Sequence, residues 1–176
     1  MTSYAAFLRG INLGPTNKIA MPRLRQIAES LGYGEVKTHI NSGNLLFASD
    51  KPAETVEKEV RDAIREELGL SIDVAVRTQD ELGQVLAANP YPDGDPSRVT
   101  VAFLTGPPAS DAKERVAALA RDHEPFAFGE REVYVNYTEG QANSKLAEQF
   151  SKVVGVSSTV RNLNTVTKVL AMLDRI

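Results

Sequence analysis

The sequence predicts an α+β fold: two ferredoxin-like (split βαβ) subdomains in tandem, with an additional C-terminal helix. Short apolar or alternating runs and amphipathic helical stretches follow one another as βαββαβ in the first half. The order recurs in the second half as far as βαββα. Between the halves, Asn89 to Ser97 (NPYPDGDPS) concentrates proline and glycine and marks a linker, so the domains are expected at 1–88 and 98–176.

Each element has a local reason. Tyr4 to Leu8 is a short apolar run followed by turn residues, the signature of a buried strand. Met21-Pro22-Arg23-Leu24 opens a helix, because proline in a first turn lacks only an N–H that would have no helical partner. Leu24, Ile27, Ala28 and Leu31 give that helix its apolar face, and Gly32 or Gly34 ends it. Val36, Thr38 and Ile40 alternate with Lys37 and His39 as a strand. Asn41-Ser42-Gly43-Asn44 turns the chain into a second strand at Leu45 to Ala48, completing a hairpin. From Pro52 to Leu68, Val56, Val60, Ile64 and Leu68 recur every four residues, and Gly69 terminates the helix. Ile72, Val74 and Val76 alternate as a strand, and Thr78-Gln79-Asp80-Glu81 starts a capped helix running to Ala88.

Beyond the linker, Val99 to Leu104 is a strand and Ser110 to Asp122 a helix with Val116, Leu119 and Ala120 inward. Phe126 to Phe128 and Val133 to Tyr137 make a hairpin about Gly129-Glu130. Asn143 to Val154 is a helix closed by Gly155, and a terminal helix from Asn162 to Arg175 takes the place of the last strand. The repeat is one of element order, with no identity between the halves evident along the sequence.

Composition narrows the chemistry. With 176 residues, 42% hydrophobic and 24% charged, the chain is long and apolar enough to bury a core. A net charge of -3 gives no global attraction to nucleic acid or an acidic membrane. There is no cysteine, which removes disulfides, thiolate catalysis and cysteine metal sites. The N-terminus lacks the pattern of a signal peptide, and no stretch reaches the roughly 18 apolar residues of a membrane span. A cytoplasmic location is therefore expected.

The Walker phosphate loop, the dinucleotide glycine fingerprint and the Gly-x-Ser-x-Gly nucleophile elbow are all missing. His39 and His123 stand outside any metal-binding spacing, and Asp93-Gly94-Asp95 reads as a turn, so no metal site is expected. Most of the strand aromatics Phe7, Phe47, Phe103, Tyr134 and Tyr137 occupy positions that look buried, so packing explains them better than an RNA-stacking platform.

Three polar clusters remain. Arg9-Gly10-Ile11-Asn12, with Asn17 and Lys18, follows the first strand. Ser42-Gly43-Asn44 sits at a hairpin tip, where turn chemistry alone also accounts for it. Asn143-Ser144-Lys145 begins a helix, and Arg161-Asn162, Thr165 and Lys168 lie near the C-terminus. Asn143 or Ser144 is explained as a helix cap. On a helix starting near Asn162, Arg161, Thr165 and Lys168 would share one face at i, i+4 and i+7. Basic groups beside helix N-termini are the common means of holding an oxyanion or phosphate.

At these residues the chain resembles a known family. Leu8-Arg9-Gly10-Ile11-Asn12-Leu13-Gly14, Ile40-Asn41-Ser42-Gly43-Asn44-Leu45-Leu46-Phe47, Ser144-Lys145-Leu146, and Arg161-Asn162-Leu163-Asn164-Thr165-Val166 with Lys168 are similar to the bacterial domain of unknown function family 1697. The resemblance implies ferredoxin-like α+β subdomains and brings no assigned catalytic residues or cofactor. The family usually has a second glycine and a lysine after Gly14, where this chain has Pro15-Thr16. It usually has an aromatic at His39, glutamine at Asn41 and tryptophan at Leu163. Proline at 15 removes a backbone donor, so anion binding would lean on Arg9, Lys18 and Lys145.

The expected function is binding of a phosphorylated or other anionic small molecule, including a nucleotide, in a polar cleft between the subdomains. The expected ligand-binding residues are Arg9, Asn12, Lys18, Ser42, Asn44, Ser144, Lys145, Arg161, Asn162, Thr165 and Lys168. No general base is evident, yet phosphoryl-type transfer needs little beyond positioning and charge, so catalysis stays open. The alternatives are nucleic-acid binding and a protein-interaction module in which the polar motifs are structural. Cofactor and oligomeric state are not specified by the sequence.

Overall fold

A computed structural model describes residues Met1–Ile176. The elements run β1 (Thr2–Leu8), α1 (Met21–Ser30), β2 (Gly34–His39), β3 (Asn44–Ser49), α2 (Ala53–Leu68), β4 (Val74–Thr78) and α3 (Gln79–Ala87). They continue as β5 (Val99–Leu104), α4 (Ala112–Leu119), β6 (Phe126–Phe128), β7 (Glu132–Asn136), α5 (Lys145–Val154), β8 (Ser158–Asn162) and α6 (Leu163–Leu173). Two four-stranded antiparallel sheets result, ordered β2-β3-β1-β4 and β6-β7-β5-β8. Both orders are that of a split βαβ unit, so the tandem ferredoxin-like architecture is present. By compactness the chain divides into Met1–Gln84 with Thr167–Ile176, and Val85–Val166.

In the first unit β1 is central, pairing with β3 through Phe7↔Asn44 and with β4 through Ala5↔Arg77. Tyr4, Ala6 and Leu8 join Leu45, Phe47, Val74 and Val76 in one core with Leu24 and Ala28 of α1 and Val56, Val60 and Ile64 of α2. Burying an aliphatic side chain is worth about 1.5–3 kcal/mol, so the four-residue repeat of α2 adds packing to a sequence already rich in the strong helix formers Ala, Glu, Lys and Arg. Ala5, Phe7, Leu46 and Ala75 alternate to the other face and are fully buried as well. Burial on both faces explains why Tyr4–Leu8 reads as a continuous apolar run instead of an alternation.

The termini obey local chemistry. Gly69 ends α2 with φ 69, and its N–H donates to the Arg65 carbonyl at 2.9 Å. At α3 the Glu81 N–H donates to Thr78 Oγ1 at 3.1 Å, while the Thr78 N–H donates to the Glu81 carboxylate at 3.2 Å. That reciprocal pair is the capping box expected from Thr78-Gln79-Asp80-Glu81.

The second unit repeats the plan. Ala102, Leu104, Val133 and Val135 pack with Val116 of α4 and with Leu146, Phe150, Val153 and Val154 of α5. The strand aromatics Phe7, Phe47, Phe103, Tyr134 and Tyr137 are all buried, one step beyond the expectation that most of them would be.

Three expectations need correction. The last strand of the second half is not replaced by a helix: Ser158–Asn162 forms β8, paired with β5 through Val101↔Arg161. The segment Ser-Thr-Val-Arg-Asn is short and polar, so its strand character comes from partnership with β5 and not from local periodicity. Arg161 consequently lies in a strand and does not share a helical face with Thr165 and Lys168. Ile40 likewise does not continue the β2 alternation; it has φ 51 and is 52% exposed.

The third correction concerns identity between the halves. Superposing the two topologies matches Ala6-Phe7-Leu8-Arg9-Gly10 with Ala102-Phe103-Leu104-Thr105-Gly106. It also matches Val76-Arg77 and Val85-Leu86-Ala87 with Val160-Arg161 and Val169-Leu170-Ala171. Ala5↔Arg77 and Val101↔Arg161 are equivalent register pairs. Each arginine donates from Nη1 to the carbonyl of the preceding valine, Val76 at 2.9 Å and Val160 at 3.0 Å. The caps correspond too, since Asn162 Oδ1 accepts from the Thr165 N–H at 3.0 Å where Thr78 accepts from Glu81. Unequal lengths between the elements mean that no single shift aligns the halves, which is why the identity is hidden in the linear sequence.

Candidate functional site

The loop after β1 is built around Asn12. The Leu8 N–H donates to the Gly43 carbonyl at 2.9 Å, and the Arg9 N–H to the Asp73 carbonyl at 3.0 Å, so the chain leaves the sheet held on both sides. Ile11 then turns inward and is buried. Asn12 adopts φ 57, a left-handed conformation that asparagine accepts better than most residues. Its side-chain amide donates to the Ile19 carbonyl at 2.9 Å and to the Asn41 carbonyl at 2.7 Å, and its Oδ1 accepts from the Ile19 N–H at 2.9 Å. The Asn12 N–H donates to the Asn17 carbonyl at 3.1 Å. One side chain thereby closes the loop on itself and pins it to the β2–β3 hairpin.

The hairpin tip is fixed in the same manner. Asn44 is fully buried, and its amide donates to the His39 carbonyl at 2.9 Å and to Ser42 Oγ at 3.2 Å. Gly43 has φ 88, and a Cβ there would lie 2.7 Å from Ile11 Cδ1 and 2.9 Å from Leu8 Cβ. Gly10, Asn12, Asn17, Ile40 and Gly43 all have positive φ. Left-handed backbone is thus concentrated in these two touching segments, as is common where a fold holds a site in shape.

Between them lies an open cavity of about 450 Å³ lined by Asn12, Lys18, Ile19, Ala20 and Asn41. Ala20 is the N-cap of α1 and supplies no side-chain hydrogen bond to it, and proline stands in the first turn. The N-cap residue Ala20 lines the cavity, so the α1 N-terminus, uncapped by any side chain, adjoins it with the positive end of its dipole. Lys18 is exposed there.

The expected site residues of the first unit divide into two kinds. Asn12, Ser42 and Asn44 are committed to shaping the backbone. Lys18 carries charge at the cavity. Arg9 does not line it; its guanidinium lies 3.5 Å from Asp73, with both groups about half exposed. Such a pair contributes no more than ~1 kcal/mol. Lys168 is exposed, and its charge together with burial of the imidazole holds His39 below the usual histidine pKa, burial being the larger cause. His39 is accordingly neutral at physiological pH.

In the second unit, Ser144 is the N-cap of α5 and its Oγ accepts from the Ala147 N–H at 3.2 Å. Lys145 follows it and is exposed, while Asn162 caps α6. Thr165 and Arg161 are buried, and desolvation lowers the Arg161 pKa to about 10, so its guanidinium stays charged at neutral pH. Arg121 donates to the Asn143 carbonyl, fixing the approach to α5. No group of three or more His, Cys, Asp or Glu side chains is placed to hold a metal ion.

Asn41, Ile19 and Ala20 line the cavity without having been expected there. The signal for Ala20 is present in the sequence: Lys18-Ile19-Ala20 precedes Met21-Pro22 with no Ser, Thr, Asp or Asn at the capping position. Arg77, fully buried in β4, was also missed, and its signal is the equivalence with Arg161.

Ile40 is the costliest residue of the turn between β2 and β3. A β-branched side chain at φ 51 is a conformational outlier, and a left-handed residue costs roughly 1–2 kcal/mol. Its side chain is largely in water, so little packing offsets this. Ile40→Asn is expected to stabilise the protein by about 1 kcal/mol, seen as a Tm higher by about 2–4 °C; an unchanged or lower Tm would show that the side chain is packed in solution.

The family described as Protein of unknown function (DUF1697) matches residues 1–134. Among solved structures, a conserved bacterial protein from Streptococcus pneumoniae superposes with a TM-score of 0.82 at 24% identity, covering 98% of each chain. That likeness establishes a shared fold. No curated protein matches the chain.

Proposed function

We propose, for a chain that belongs to the family described as Protein of unknown function (DUF1697), that the cavity beside the α1 N-terminus binds a small molecule bearing a phosphate or carboxylate. One observation carries the reading: an uncapped helix N-terminus and an exposed lysine, Lys18, meet at a cavity whose walls are already held in place. Unsatisfied N–H groups at a helix start favour an anion, and a charge-assisted bond from lysine adds to them. The Asn12 bridge means that little loop ordering has to accompany binding, which favours affinity. Pro22 removes one donor from the first turn, so the site relies on Lys18 more than a helix start with all its N–H groups would.

The test is a thermal-shift titration with pyrophosphate at constant ionic strength. At a concentration about 100 times Kd a ligand stabilises by about 2.7 kcal/mol, a Tm rise of roughly 5–10 °C for a chain of this size. Lys18→Gln is expected to weaken binding about tenfold or more, the loss of one charged hydrogen bond of about 1.5–3 kcal/mol. No shift in the wild type, or an equal shift in Lys18→Gln, rejects the site.

A further inference from the structure

We infer that residues 138–143, the segment leading into α5, form a strap that opens and closes beside the buried carboxylate of Glu124, with Arg121 as the side chain both states compete for. Glu124 is 1% exposed and is the one buried carboxylate of the molecule, although its neighbours Asp122 and Pro125 are exposed. Its Oε1 accepts from the Arg121 N–H at 3.0 Å. Its Oε2 is buried and has no hydrogen-bond partner. A carboxylate oxygen buried without a donor has given up its hydration for nothing, so the closed arrangement carries a cost at this one atom. The charge is felt at Tyr137, the residue before the strap, where burial first and Glu124 second push the phenol pKa up.

The strap lies along the turn that carries Glu124. The Asn136 N–H donates to the Pro125 carbonyl at 2.9 Å, and Thr138 Oγ1 donates to the His123 carbonyl at 2.6 Å. His123 Nε2 lies 2.9 Å from the Glu139 carboxylate, and the Arg121 guanidinium donates to the Asn143 carbonyl. Contacts at 121, 123 and 125 therefore flank Glu124 on both sides. No side chain of residues 138–143 is buried, so polar ties near the surface hold the strap and apolar packing does not. Left-handed backbone at Gly140 and Asn143, with φ 82 and 62, gives the strap its bends. Arg121 sets the balance. Its Nε stands 3.9 Å from Glu124 Oε1, the outer limit of an ion pair, while the same guanidinium is engaged with Asn143. Opening frees that donor for the carboxylate and lets water reach Oε2. Surface ties thus work against one unsatisfied buried charge, as in a segment of low local stability.

The experiment measures amide hydrogen exchange in the full chain for the wild type, Glu124→Gln and Thr138→Val. The Gly140 and Ser144 amides, bonded to the Tyr137 and Gln141 carbonyls at 2.7 and 3.1 Å, report on the strap, and the β7 amides report on the unit as a whole. In the wild type the two strap amides are expected to be about tenfold or more less protected than β7. Glu124→Gln keeps an acceptor for the Arg121 N–H, and a neutral amide costs less to bury than a carboxylate. It is expected to raise protection at Gly140 and Ser144 by about tenfold and to leave β7 unchanged. Thr138→Val removes one tie and is expected to lower strap protection by about tenfold, again sparing β7. Equal protection of strap and β7 in the wild type would mean that the strap opens only with the whole unit, and would overturn the inference. So would unchanged strap exchange in Glu124→Gln, which would show that Oε2 is satisfied in solution. Faster strap exchange in that variant, or a loss of protection extending to β7, would make the carboxylate a structural tie and overturn it equally.

Discussion

Gly43→Ala is expected to destabilise the protein by about 2–5 kcal/mol. Two costs combine. A left-handed alanine loses roughly 1–2 kcal/mol relative to glycine, and a new Cβ at 2.7 Å from Ile11 and 2.9 Å from Leu8 forces repacking worth roughly 1–3 kcal/mol. Neither neighbour can move freely, because Leu8 is in β1 and Ile11 is buried. The fall in Tm is on the order of 10 °C. Gly83→Ala is the matching control: it lies inside α3, where an added Cβ meets nothing within 4 Å. Helix propensity then favours alanine by about 0.8–1 kcal/mol, so the two substitutions are expected to move the urea midpoint in opposite directions. A mild effect at Gly43 would mean that the turn is not packed against the loop after β1.

Asn12→Ala is expected to cost about 2–4 kcal/mol, from three side-chain hydrogen bonds at roughly 1 kcal/mol each and the poorer fit of alanine to φ 57. Asn12→Gly separates the two contributions, since it keeps the backbone conformation and removes only the amide. Asn12→Asp is not expected to rescue, because a carboxylate would face the Ile19 and Asn41 carbonyls with no hydrogen to donate. Denaturation in urea, with an unchanged m-value, is the measurement that reads all three. Pyrophosphate binding is expected to weaken as well, because the walls of the cavity depend on this residue. Full stability in Asn12→Ala would show that the loop is held by something other than its amide.

Much of this architecture could be read from the residues, because most elements carry their own signals. The four-residue repeat of α2, the Gly69 and Gly155 terminations, and the Thr78–Glu81 box are local, and each formed as the sequence required. What could not be read was non-local. β8 has no apolar alternation of its own and exists because β5 offers a partner. The kinship of Arg77 with Arg161 becomes visible only when registers are compared. The polar motifs were legible as special, whereas their roles were not. Asn12 and Asn44 looked like ligand-binding side chains, and their amides turn out to be engaged with backbone carbonyls. Ala20 looked like nothing, since a missing cap has no conspicuous residue, yet it places the α1 N-terminus at the cavity. Polar residues in a motif can serve the shape of a loop through bonds to its backbone, as Asn12 and Asn44 do.

The central claim, an anion site made by Lys18 and the start of α1, is tested most directly by following backbone amide resonances during a pyrophosphate titration at constant ionic strength. The account predicts saturable shifts concentrated at Lys18, Ile19, Ala20, Met21 and Arg23, largely lost in Lys18→Gln. Saturable shifts confined to other residues, or none at all, would contradict it.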